Sequence, residues 1–166
     1  MRGAIKYITM FISLVLIQVL VLNQIQVNGY INPYIYILFV MLLPLGSPRY
    51  VVLPLAFIIG LTVDVFSNSL GIHAAATTFI AYLRPLVNRS VSTHEEDRSD
   101  YPGMKYNGFR WFLYYTIIMV FLHHFVLFFL EIFTFTDFLH TFYKVVLSSV
   151  SSIFIIVLSQ FIIFRD

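Results

Sequence analysis

Gly60-Leu61-Thr62-Val63-Asp64-Val65-Phe66-Ser67-Asn68-Ser69-Leu70-Gly71-Ile72-His73-Ala74-Ala75-Ala76 reads as the end of one apolar helix, a tight polar turn and the start of a second helix. Gly60 and Asp64 are four residues apart and share a helix face. Asp64 is a carboxylate in an apolar run, and such residues within spans are functional candidates by default. Ser67, Asn68 and Ser69 form the turn, with Ser69 as the expected N-cap of the second helix. The free N–H groups and the dipole at that helix start favour a carboxylate beside it. Asp64 is therefore expected to staple the hairpin, accepting from the Ser67–Gly71 backbone or from the Ser67 and Ser69 hydroxyls. Asp64→Asn, which keeps an acceptor, is expected to be mild. A proton-relay or substrate role and an interface with another chain are the competing readings. On the second helix Gly71, Ala74, Thr78 and Ala81 share a small-residue face. Such faces let membrane helices approach closely, either within the chain or against a foreign helix.

Outward from the hairpin, apolar runs cover most of the 166 residues. A membrane-crossing helix needs about 20 residues, and six spans are expected, at about 4–22, 30–45, 50–66, 70–87, 109–130 and 142–164. The first run lacks a small-residue cleavage pattern after it and reads as a retained helix with Lys6 snorkelling at its end. The second is short, bounded by Pro33 and Pro44. Pro54 lies inside the third, which membrane helices tolerate when neighbours satisfy the freed backbone groups. Residues 131–141 suit a short interfacial helix. The low-apolar loop 88–108, with Glu95, Glu96, Asp97 and Asp100, reads as a solvated connection or a docking strip for a cytoplasmic partner.

Composition agrees with this. The chain is 60% hydrophobic and only 11% charged, with a mean hydropathy of +0.88. Soluble domains carry about 25% charge, so a soluble globule is excluded, and disorder with it. The length suits one all-α membrane domain. Net charge is +2 with scattered basic residues, so nucleic acid is not an expected partner. The absence of Cys removes disulfides, thiolate metal sites and a Cys nucleophile. With an even span count both termini share one side. That side collects Arg2, Lys6, Arg49, Arg84, Arg89, Arg98, Lys105, Arg110 and Arg165, against Lys144 alone on the other. The bias makes the first side cytoplasmic. Tyr101, Tyr106, Trp111, Tyr114 and Tyr115 are expected at that inner interface.

No reaction centre is legible. His73, His123, His124 and His140 show no H-E-x-x-H pattern. Adjacent helical histidines point about 100° apart, so His123 and His124 do not readily converge on a metal. Ser148, Ser152 and Ser159 read as hydrogen-bonding glue between helices, because no nucleophile–base pair accompanies them. No cofactor, metal or catalytic residue is expected.

Gly-x-x-x-Asp-apolar-apolar-Ser, a short turn, then Leu-Gly-x-His-Ala over residues 60–74 resembles the signature of MreD, the bacterial rod shape-determining membrane protein. The matching positions are Gly60, Asp64, Gly71, His73 and Ala74. The resemblance implies a non-enzymatic scaffold of the cell-wall elongation machinery in the inner membrane. Its implied partner is an MreC-like single-span protein, within a wider complex of a RodA-type polymerase, a class B penicillin-binding protein and MreB. It also implies a helical arrangement similar to the substrate-binding components of energy-coupling-factor vitamin transporters. A small-molecule-binding transporter component is the competing function. Those components use an Ala-x-x-x-Ala surface on the first helix, whereas Ala4 is the only Ala in this one.

Overall fold

The computed structural model describes residues 2–25, 31–92, 100–132 and 137–163. They form α1 (Arg2–Leu20), a 3-10 turn at Leu22–Gln24, α2 (Ile37–Met41), α3 (Arg49–Ser67), α4 (Ile72–Val91), α5 (Met104–Ile132) and α6 (Phe138–Ile163). Among the described residues, four stretches are long and apolar enough to cross a membrane: Ala4–Gln24, Arg49–Ser67, Met104–Ile132 and Phe138–Ile162. The fold is thus all-helical among the described residues and suited to a multi-pass membrane protein. α4 is 20 residues long but carries His73, Thr77, Arg84, Asn88 and Arg89, and it is flanked by α3 and α5. α5 breaks at Gly108, where φ is +81°, so its long continuous part begins at Phe109. Residues 131 and 132 belong to α5 and 138–141 to α6. The acidic run Glu95–Asp97, together with Arg98 and Arg165, lies outside the described residues.

The expected second span, 30–45, is not one membrane-length helix. Only Ile37–Met41 is α-helical, because Pro33 and Pro44 bound the run and Pro cannot donate to a helix ladder. This segment is the centre of the molecule: Tyr36, Ile37, Val40 and Met41 are fully buried, with Phe39 nearly so. Irregular backbone at membrane depth is tolerated only where protein satisfies its polar groups, and here side chains from four long helices do so. Gln18 of α1 accepts from the Ile35 N–H at 2.8 Å and donates to the Pro33 carbonyl at 3.1 Å. Ser148 and Ser152 of α6 accept from the N–H groups of Asn32 (3.0 Å) and Tyr34 (2.8 Å). At the other end Tyr115 of α5 donates to the Met41 carbonyl at 3.3 Å. Arg84 of α4 donates to the carbonyls of Leu43 and Pro44 and to the Tyr115 hydroxyl.

Two sequence expectations change here. Arg84, counted among the cytoplasmic-side cations, is not free at that side; it is 4% exposed and closes the carbonyl end of α2, where the helix dipole favours positive charge. Tyr115 is fully buried, so it belongs to the core and not to an interfacial belt. Arg84→Leu is expected to leave the Leu43 and Pro44 carbonyls unpaired, at about 1–3 kcal/mol. Thermal unfolding of the purified variant in detergent should show a lower midpoint, with Arg84→Lys in between. An unchanged midpoint for Arg84→Leu would contradict the capping role.

The helix ends sort into two sets. One cavity gathers Lys6, Leu42, Tyr101 and Gln160, and another gathers Asn23, Ser67, His73 and Glu131. The N-terminal end of α1 therefore lies on the side of the α5 start and the α6 end. Lys144 lies at the α6 start and pairs with Glu131 at 2.9 Å.

Candidate functional site

The α3–α4 hairpin is positioned by two residues in the left-handed region. α3 ends at Asn68 (φ 52°), whose N–H returns to the Asp64 carbonyl, and α4 starts after Gly71 (φ 85°). Gly71 meets no heavy atom where a Cβ would stand, so its role is conformational: a side chain there costs roughly 1–2 kcal/mol in left-handed backbone. Gly71 occupies the N-cap position, and it has no side chain with which to cap. Ser69 is thus not the N-cap of α4, contrary to the sequence expectation.

Asp64 supplies the missing cap from the preceding helix. Its Oδ1 accepts from the His73 N–H at 3.1 Å and its Oδ2 from the Ala74 N–H at 2.8 Å. These are the second and third residues of α4, whose N–H groups an ordinary N-cap side chain would satisfy. Oδ1 also accepts from the Ser69 hydroxyl at 2.6 Å and meets His73 Nδ1 at 3.0 Å. The carboxylate is 2% exposed and is ringed by donors. The donors differ from the expected Ser67–Gly71 backbone because the left-handed Gly71 moves the helix start to Ile72. Ser67 makes no hydrogen bond to Asp64; its hydroxyl accepts from Asn23 Nδ2 at 3.0 Å and ties the hairpin turn to the 3-10 turn after α1.

Close packing completes the joint. A Cβ built on Gly60 would stand 2.5 Å from Ala74 Cα, 2.7 Å from Ala74 N and 2.7 Å from the His73 carbonyl oxygen. The small face of α4 is therefore occupied from inside the chain at Ala74. Ala81 is buried in the main core. Thr78 is half-buried and bonds its own helix at the Ala74 carbonyl, 2.7 Å away. Of the sequence-selected residues, Gly60, Asp64, Ser69, His73 and Ala74 meet at one point; Ser67, Gly71, Thr78 and Ala81 do not touch the carboxylate.

Behind the joint, three histidines surround one tyrosine. The Tyr34 ring lies 5.4 Å from His73, 6.2 Å from His123 and 5.4 Å from His124. His123 Nε2 bonds the Tyr36 hydroxyl at 2.7 Å. His124 bonds the Val120 carbonyl at 2.8 Å and the Ser152 hydroxyl at 3.0 Å. The adjacent histidines thus serve different partners. Among the described residues no three His, Asp or Glu side chains are grouped to hold a metal ion. Tyr34, Tyr36 and Gln18 carried no legible signal, since their partners are distant in sequence.

A cavity of about 770 Å³ adjoins the joint, lined in part by Asn32, Tyr34, Ser67, Ser69, His73 and Glu131. His73 Nε2 and Asn32 Oδ1 are buried and have no partner among the described residues. Leu70, at the turn, is fully exposed. Comparison of the chain with protein-family models, with curated proteins and with solved structures finds no significant match to any of them.

Proposed function

We propose that the chain is a non-enzymatic scaffold subunit of the MreD kind, held in the bacterial inner membrane with both termini cytoplasmic. The observation that carries this reading is that the signature residues act together as a mechanical joint. Gly60 gives the close approach, Ala74 receives it, Gly71 sets the turn and His73 shares Asp64 with the α4 backbone. Each oxygen of Asp64 already faces protein donors, which suits a fixed shape better than proton transfer. On this reading α4 also crosses the membrane, shielded by α3 and α5. α2 is then a central half-helix, in an arrangement similar in plan to energy-coupling-factor substrate-binding components. The partner is an MreC-like single-span protein, with a RodA-type polymerase, a class B penicillin-binding protein and MreB in the wider complex.

The hairpin tip, with exposed Phe66 and Leu70, is the surface expected to meet that partner. Co-purification in mild detergent followed by mass spectrometry tests the reading. The wild type should bring down the single-span protein. Leu70→Glu should reduce its recovery at least tenfold while leaving the melting midpoint unchanged. Absence of any cell-wall elongation protein from the wild-type sample would contradict the reading.

A small-molecule-binding role in a vitamin-type transporter draws on one specific observation, the 770 Å³ cavity with unpartnered His73 Nε2 and Asn32 Oδ1. Small-ligand pockets run about 300–1,000 Å³. A compound retained at one equivalent per chain and lost in Asn32→Leu would favour this role over the scaffold.

A further inference from the structure

The second cavity, at the opposite end of the molecule, has about 380 Å³ and separates α1 from the end of α6. Its wall is apolar where Leu14, Ile17 and Leu38 contribute, and Lys6 and Tyr101 stand among its other lining residues. Lys6 Nζ lies 5.3 Å from the Tyr101 ring centre and 5.9 Å from that of Tyr7. Lys6 itself is exposed, one turn into the first helix, where a lysine reaches the headgroup level.

Within this apolar cavity sits a polar group that the fold does not use. Gln160 is 0% exposed, and neither its Nε2 nor its Oε1 has a hydrogen-bond partner among the described residues. The buried Tyr7 hydroxyl is in the same state, and both residues line the cavity. Leaving a buried polar group unpaired is costly, and each instance needs an explanation. A carboxamide beside a phenol offers donors for ester carbonyls and an acceptor for a hydroxyl. The ammonium of Lys6 offers a partner for a phosphate.

We propose that this cavity binds one anionic phospholipid. One acyl chain lies between α1 and α6, the ester and glycerol groups meet Gln160 and Tyr7, and the phosphate meets Lys6. Size argues against a partner helix as occupant: one helical turn, about 10 Å across and 5.4 Å high, fills roughly 400 Å³. The cavity therefore holds less than a turn of helix, and it takes the ester end of one acyl chain, the rest of the lipid lying outside it. The proposal rests on the membrane character of the chain and is independent of the scaffold reading.

Native mass spectrometry of the full chain in detergent, titrated with dioleoyl phosphatidylglycerol or dioleoyl phosphatidylcholine, tests it. The wild type should retain one phosphatidylglycerol per chain, at least fivefold over phosphatidylcholine. Lys6→Gln should erase that preference, and Gln160→Leu should cut phosphatidylglycerol occupancy at least tenfold. Melting in lipid-free detergent guards against a folding artefact. Gln160→Leu should match or exceed the wild-type midpoint there, because it removes a buried amide without a partner. Equal retention of the two lipids, unchanged occupancy in Gln160→Leu, or a lowered lipid-free midpoint for that variant would each overturn the proposal.

Discussion

Gly60→Ala is expected to break the α3–α4 joint, at a cost of about 3 kcal/mol or more, the upper end of the overpacking range. A Cβ there meets the Ala74 Cα and N and the His73 carbonyl oxygen, all at 2.7 Å or less. These are backbone atoms of a helix, so no side-chain rotamer change relieves the contact. The helices must move apart, and the Asp64 bonds to the His73 and Ala74 N–H groups stretch with them. The backbone character of the clash gives a second expectation: Ala74→Gly should not rescue Gly60→Ala, since it removes none of the three contacted atoms. Ala74→Leu should also lower the melting midpoint of the protein purified alone. Detergent-solubilised yield and thermal midpoint check these outcomes. A Gly60→Ala protein melting within a degree of the wild type would show that α3 and α4 are not in contact there.

Asp64→Leu should be nearly as severe. It leaves the His73 and Ala74 N–H groups without their acceptor, while the Ser69 hydroxyl and His73 Nδ1, 3.0 Å apart, lose Asp64 but keep each other. Each buried donor left unpaired costs roughly 1–3 kcal/mol. Asp64→Asn is no longer expected to be mild. Both carboxylate oxygens face donors, so the amide Nδ2 must point at an N–H or a hydroxyl whichever way it is turned. About 1–3 kcal/mol is the expected loss for that one mismatched position. The order wild type, Asn, Leu should therefore hold for expression and melting midpoint and, if the proposed scaffold role holds, for rescue of cell shape. Asn and Leu variants that fold as well as wild type and both fail to rescue would instead assign Asp64 a proton-relay or ion-binding role.

The hairpin was legible because its signals are local and chemically conspicuous. A carboxylate in an apolar run demands donors, and the polar turn is three residues away. The Ser69 hydroxyl is one of the expected donors, but the backbone donors were displaced by a conformational detail. Gly71 was visible as a small residue, but not as the left-handed residue that delays the start of α4. The central segment was harder to read for a different reason. Hydropathy sees that residues 35–43 are apolar, not that they are enclosed by other helices. Pro33 and Pro44 were the available warning that the run is not one continuous helix. The groups that satisfy its backbone, Gln18, Arg84, Tyr115, Ser148 and Ser152, are spread over most of the chain and meet only in the folded state. Ser148 and Ser152 look like helix-to-helix glue in the sequence, and Ser152 does bond His124 of α5; what the sequence does not show is that both hydroxyls also serve the backbone of Asn32 and Tyr34. Charge counting gave Arg84 a side but not its burial, because a count of cations says nothing of the Leu43 and Pro44 carbonyls that it caps.

The residue-resolved amide exchange of His73 and Ala74, measured by NMR on the detergent-solubilised protein, tests most directly whether Asp64 is a structural joint. The first N–H groups of a helix lack intrahelical acceptors and exchange readily unless something caps them. Both amides should be protected in the wild type to the level of the middle of α4. In Asp64→Leu their protection should fall at least a hundredfold while the central turns of α5 and α6 keep theirs. Fast exchange at both positions in the wild type, or undiminished protection in a folded Asp64→Leu protein, would contradict the joint.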